Sequence, residues 1–138
     1  MTASERSAAL TPGLQGSAET VVTRALTAAT LGSGTVDVYG SPAMIALMEA
    51  AAVAAIEKHL GPGETTLGIH LDVNHKAATP IGLTVSATAT LVAVDGRKLT
   101  FEIEAHDSKE RIGEARHTRV IVDRARFEAK ANAKAAST

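Results

Sequence analysis

From Ala43 to Ile56 the chain reads AMIALMEAAAVAAI, apolar at every position except Glu49. A helix that is hydrophobic on all sides must be buried on all sides. Its limits are marked in the sequence. Ser41 has the chemistry of an N-cap and Pro42 suits the first helical position, while Lys58 and His59 precede the stop at Gly61-Pro62-Gly63. Shorter than about twenty residues and interrupted by a carboxylate, the segment reads as a core helix and not a membrane span. On either side the pattern shortens to period two. Strands are predicted at Ala18–Leu26, Thr65–Val73, Gly82–Val94, Lys98–His106 and Gly113–Arg124. The fourth alternates cleanly, with Leu99, Phe101, Ile103 and Ala105 on one face. A Gly- and Thr-rich stretch, residues 29–40, reads as a loop or flap, and Asp95-Gly96 is a hairpin signal.

The expected order is therefore strand, apolar helix, then four strands joined mostly by tight turns, which implies an antiparallel sheet. An antiparallel sheet curled around one long buried helix gives an α+β fold. Residues 1–16 read as a flexible arm, 17–130 as the single domain and 131–138 as a tail. The Ala/Lys run from Ala125 frames either a short helix or a fraying end. Unpaired sheet edges in so small a chain predict a homodimer.

Composition narrows the function. A chain of 138 residues without cysteine is one domain, with no disulfide, thiol nucleophile or cysteine-ligated metal. Fourteen basic residues against fifteen acidic, with 2% aromatics, fit no nucleic-acid partner. The start of the chain carries Glu5 and no apolar run, so no signal peptide or membrane span is expected and the cytoplasm is the expected location. The five histidines lack the HxH, HxxxH or HExxH spacing of a metal site, and Gly32-Ser33-Gly34 lacks the lysine of a phosphate loop; no metal or cofactor is expected.

Three residues stand out for chemistry. Glu49 is the one ionisable side chain between Ser41 and Glu57, on a helix read as buried. A carboxylate there is costly as a structural group and is of the kind that active sites gather. Ser41 lies eight residues earlier, about two turns, so both project to one side. Taken alone Ser41 is a helix cap; the same helix start also presents free N–H groups to a developing oxyanion. His75 closes a strand just before Thr79-Pro80, where side chains face clefts.

These positions fall within a wider pattern. The run Gly40-Ser41-Pro42-Ala43-Met44-Ile45-Ala46-Leu47-Met48-Glu49, then Gly61-Pro62-Gly63-Glu64, Leu67-Gly68, and Val73-Asn74-His75-Lys76-Ala77-Ala78-Thr79-Pro80 resembles the fluoroacetyl-CoA thioesterase family of hot-dog-fold proteins. The likeness continues through Gly82-Leu83-Thr84-Val85, Ala105-His106-Asp107, His117-Thr118-Arg119 and Phe127-Glu128-Ala129-Lys130. It implies a dimer hydrolysing acyl-CoA, with Ser41, Glu49 and His75 as the catalytic set. It also implies that the Gly68 N–H binds the thioester carbonyl and that Arg119 lies near the substrate. The family generally has threonine where Ser41 stands. Its fluoroacetate-specific members carry aromatic residues in the lid before the helix, and Ala29–Val38 has no phenylalanine, so a broader preference among short or medium acyl groups is expected. Lys76, Arg97, Lys98 and Arg119 are the candidates for the CoA phosphates. The alternative is a non-catalytic module binding acyl-CoA or a small apolar ligand; a hydratase on the same fold lacks its acid–histidine motif.

Overall fold

The computed structural model describes residues 9–136. Its elements among these are β1 (Gln15–Val21), β2 (Glu64–His75), β3 (Thr84–Asp95), β4 (Lys98–Asp107) and β5 (Arg111–Asp123), with helices α1 (Ala28–Leu31), α2 (Ser41–Ile56) and α3 (Arg124–Ala136). The strands form one antiparallel sheet in the order β1-β3-β4-β5-β2, and α2 packs across it, chiefly on β1, β3 and β4. Period-two alternation explains the packing. Leu99, Phe101, Ile103 and Ala105 of β4 are buried, as are Val85, Ala87, Ala89 and Leu91 of β3, against Met44, Met48, Ala51, Ala52, Ala55 and Ile56 of the helix. Small residues bring the layers close. A Cβ on Gly16 of β1 would lie 2.2 Å from the Ala55 nitrogen and 2.5 Å from the Ala51 carbonyl oxygen. Only glycine lets that strand rest directly on the helix backbone.

The first strand starts and ends earlier than the sequence suggests. Its ladder runs from Gln15 opposite Thr90 to Val21 opposite Thr84, where β3 begins. Beyond that point no partner strand remains, and Arg24–Leu26 coil into a single 3-10 turn. Gln15 and Gly16, assigned to the arm, are in the sheet, and Leu10 is in the core; residues 1–8 of that arm lie outside the described residues. The run from Ala125 is helical as far as Ala136.

Two readings of the long helix change. Gly40, not Ser41, is the N-cap; Ser41 is the first helical residue and makes no capping hydrogen bond. Nor is the helix covered all round within one chain. The sheet takes the face with Met44, Met48 and Ala52, leaving Ala46, Ala50 and Ala54 exposed on the other. The loop before α2 is also more ordered than its composition suggests. Thr27 Oγ1 accepts from the Thr30 N–H to start α1, and bridges Thr27–Tyr39 and Val38–Pro80 tie the segment to the body. No helix among the described residues is long and apolar enough to cross a membrane.

Candidate active site

Released from capping, Ser41 is free for another partner. Its Oγ lies 2.8 Å from Nδ1 of His75, the last residue of β2. The pair stands at the amino end of a sixteen-residue helix, where the unpaired N–H groups and the dipole favour negative charge. Together with Tyr39 they line an open groove of about 240 Å³ beside the start of α1.

Glu49 belongs to a second group, two turns further along α2. Its Oε2 accepts from Arg119 Nη1 at 3.3 Å and lies 4.0 Å from His117 Nε2. Arg119 is only 6% exposed, and its guanidinium is fixed on every side. Nε donates to Thr66 Oγ1 at 2.9 Å, Nη2 donates to the Thr66 carbonyl at 3.0 Å, and Nη1 also reaches His117 Nε2 at 3.2 Å. His117 Nδ1 lies 2.8 Å from the His70 carbonyl oxygen. A carbonyl only accepts, so Nδ1 carries the proton and Nε2 is the lone pair that receives Arg119. The histidine is thus neutral, and the chain His70–His117–Arg119–Glu49 aims one carboxylate oxygen.

Gly68 faces that oxygen from β2. A Cβ there would come 2.7 Å from Glu49 Oε2 and 2.9 Å from His117 Cε1, so the close approach requires glycine. The β2–β5 register slips between Gly68 and His70, leaving Ile69 without a partner in β5.

The residues named from sequence thus fall into two groups on one helix: Ser41 with His75, and Glu49 with Gly68 and Arg119. Glu49 bonds Arg119 and not His75. His117 was missed. Its signal is parity, since Ala115, His117, Arg119 and Ile121 share the core-facing side of β5, and a His and an Arg on an apolar face need a shared purpose. The four cations considered for phosphate divide. Arg119 points inward, Lys76 pairs with Glu114, Arg97 Nη1 donates to the Ile121 carbonyl, and Lys98 lies exposed at the start of β4.

Both site histidines titrate below their ordinary value of 6.5. Burial depresses His75, opposed by the backbone of Ala77. Burial also depresses His117; the bond to the His70 carbonyl and the charge of Glu49 oppose it, and the charge of Arg119 reinforces it. As pH falls the unfolded chain takes up these protons first. The stability they contribute is complete above about 6.5 and is lost as pH falls from there to the folded values. Urea midpoints measured from pH 8 to 5.5 are expected to hold steady and then fall below about 6.5; a flat series would contradict this arrangement.

The family of fluoroacetyl-CoA-specific thioesterases matches residues 22–125. The fluoroacetyl-CoA thioesterase of Streptantibioticus cattleyicolor is 43% identical over 98 residues, 71% of this chain and 70% of that protein. A solved fluoroacetyl-CoA thioesterase, a threonine-to-serine variant in complex with acetyl-CoA, superposes with a TM-score of 0.86 at 37% identity, covering 91% of this chain and 98% of its own. A hot-dog-like protein of Thermanaerovibrio acidaminovorans, at 20% identity and a TM-score of 0.80 over 89% of this chain and 91% of its own, shares the fold.

Proposed function

Since the chain belongs to the fluoroacetyl-CoA-specific thioesterase family, we propose that it hydrolyses a short or medium acyl-CoA to the acid and free CoA, as a cytoplasmic homodimer. The observation that carries this reading is the Ser41–His75 hydrogen bond at the start of the helix that also bears Glu49. A pure binder has no need of a hydroxyl turned from capping to an imidazole, nor of a carboxylate held by a buried guanidinium.

In this reading the thioester carbonyl lies against the Gly68 N–H, with the helix start and Ser41 nearby, so that charge growing on oxygen meets fixed donors. Glu49 either takes a proton from water as that water attacks the carbonyl, or attacks itself and is released by water. In the first route the C–S bond breaks as the proton that Glu49 has taken from water is relayed through neutral His75 to the departing sulfur; in the second the thiolate departs first and receives, through the same His75, the proton of the water that then releases Glu49. The relative with serine in place of threonine is solved in complex with acetyl-CoA, which supports a short acyl-CoA as the ligand of such a site. Arg119, with its donors committed to Thr66, His117 and Glu49, acts by holding Glu49 in place and not by meeting phosphate. CoA is a polyanion that cannot cross a bilayer unaided, which supports the cytoplasmic part of this reading.

Two uncovered surfaces support the dimer. Strand β2 is a sheet edge with Ile69 53% exposed, and α2 leaves its Ala46, Ala50 and Ala54 face open. Light scattering at micromolar concentration is expected to give twice the chain mass, and a monomer would count against it. Thiol release across an acyl-CoA panel that includes fluoroacetyl-CoA tests the activity. Release from several short acyl groups is expected; ligand binding without release would mark a binding module.

A further inference from the structure

Asp107 ends β4, within the stretch Ala105-His106-Asp107 that the sequence singles out, and hydrolysis as described gives it no task. Both of its oxygens are nonetheless engaged. Oδ1 accepts from the N–H groups of Lys109 and Glu110, at 2.8 and 3.0 Å, and closes the turn into β5. Oδ2 accepts from Thr79 Oγ1 at 2.8 Å, a partner 28 residues away. The turn accounts for the first two bonds and not for the last. Burial pushes the carboxyl up, but hydrogen bonds from Lys109, Thr79 and Glu110 and the charge of Lys109 outweigh it and hold the group below its ordinary 3.8. Thr79 therefore meets a charged acceptor, which makes the stronger kind of hydrogen bond.

Thr79 carries that bond toward the active site. It is fully buried, in the link 76–83 between β2 and β3, so its hydroxyl depends on a partner inside the protein. Its carbonyl accepts the Tyr39 N–H at 2.8 Å, and Pro80 bridges Val38 beside it. Tyr39 stands two residues before Ser41, directly ahead of the Gly40 cap. The same link leaves β2 at His75, where the N–H groups of Lys76 and Ala77 donate to the Ile112 carbonyl at 2.7 and 3.3 Å. Thr79 thus joins the backbone that presents Ser41 to the backbone that presents His75, and Asp107 ties the joint to the β4–β5 turn.

We infer that Asp107 is a positioning residue, which by anchoring Thr79 holds the Ser41 hydroxyl against the His75 imidazole. It stands outside the groove and acts only through these two segments of chain. This rests on the hydrolase reading above and adds a residue to the same site.

Thr79→Val tests it with little disturbance. Valine keeps the branched shape and loses only the hydroxyl, and half-buried Asp107 turns to water. The exchange is expected to lower kcat by about 10–10²-fold, the scale of a small misplacement of reacting groups. Thr79→Ser, which keeps the hydroxyl, is expected to recover most of the rate. His75 supplies a readout that a loss of stability alone does not move. Burial depresses it, opposed by the backbone of Ala77; of the ionisable groups beside it, the Tyr39 phenol is pushed up to about 12 and stays neutral, and Lys76 pairs with Glu114. Once the link loosens, water reaches the ring and its titration rises toward 6.5. Proton NMR of the imidazole C–H signals, assigned with His75→Ala, follows this in the wild-type chain, Thr79→Val and Asp107→Ala. His75 is expected to rise by about half a unit in both variants. His117, tied to the His70 carbonyl and Arg119, is expected to stay where it is. An unmoved His75 titration in Thr79→Val, or a rate equal to that of the wild-type chain, would overturn the assignment even if the thermal midpoint fell. Should Asp107→Ala fail to fold, Thr79→Val alone decides. Absence of thiol release from every acyl-CoA by the wild-type chain would defeat the hydrolase reading, while the titration still decides whether Asp107 holds His75.

Discussion

Glu49→Gln is expected to lower kcat by about 10²–10⁴-fold on whichever acyl-CoA the wild-type chain hydrolyses best, the range for losing a general base. Glutamine has the size of glutamate and an oxygen that still accepts from Arg119 Nη1, now at 3.3 Å from the carboxylate. What it lacks is the charge, and with it the ability to take a proton from water or to attack the carbonyl. Because the exchange keeps volume and one hydrogen bond, the thermal midpoint is expected to stay within a few degrees of wild type. KM should move little, as the loss falls on the transition state. Turnover near the wild-type value would remove Glu49 from the mechanism.

His75→Ala is expected to cost a similar factor, about 10²–10⁴ in kcat, by removing the group that carries the proton to sulfur. It also strips Ser41 of the imidazole that its hydroxyl bonds at 2.8 Å. The pH profile gives a second, independent reading. A histidine depressed below 6.5 by burial stays neutral to lower pH, so the acidic limb of kcat/KM in the wild-type chain should lie below about 6.5. In His75→Ala that limb is expected to vanish from what activity remains. A variant that keeps both its rate and the limb would assign the limb to another group.

The architecture was readable because two periods are unusually pure. An all-apolar run of helical length and a strand alternating at Leu99, Phe101, Ile103 and Ala105 leave little choice but sheet against helix. Where the reading failed, a partner decided what local chemistry did not. Nothing in Thr23–Leu26 forbids a strand; the ladder stops there because β3 begins at Thr84. Ser41 has every property of a cap, yet Gly40 takes that place and the hydroxyl turns to a histidine 34 residues away. The helix face at Ala46, Ala50 and Ala54 is apolar in sequence yet open within one chain, because the single sheet covers only the opposite side. His117 escaped notice since its importance lies in Arg119 and Glu49, residues that the sheet and not the sequence brings to it.

Ser41 and His75 lie at one end of α2 and Glu49 with Arg119 two turns away, yet both groups are held to serve a single bond-breaking event. A double-mutant cycle on kcat measures that directly, using Glu49→Gln, His75→Ala and the two combined. If both side chains act on one thioester, the double variant should be scarcely slower than the worse single variant, as groups that work as a unit lose their effect together. Losses that multiply in full would mean two independent contributions, and the one-site account would be wrong.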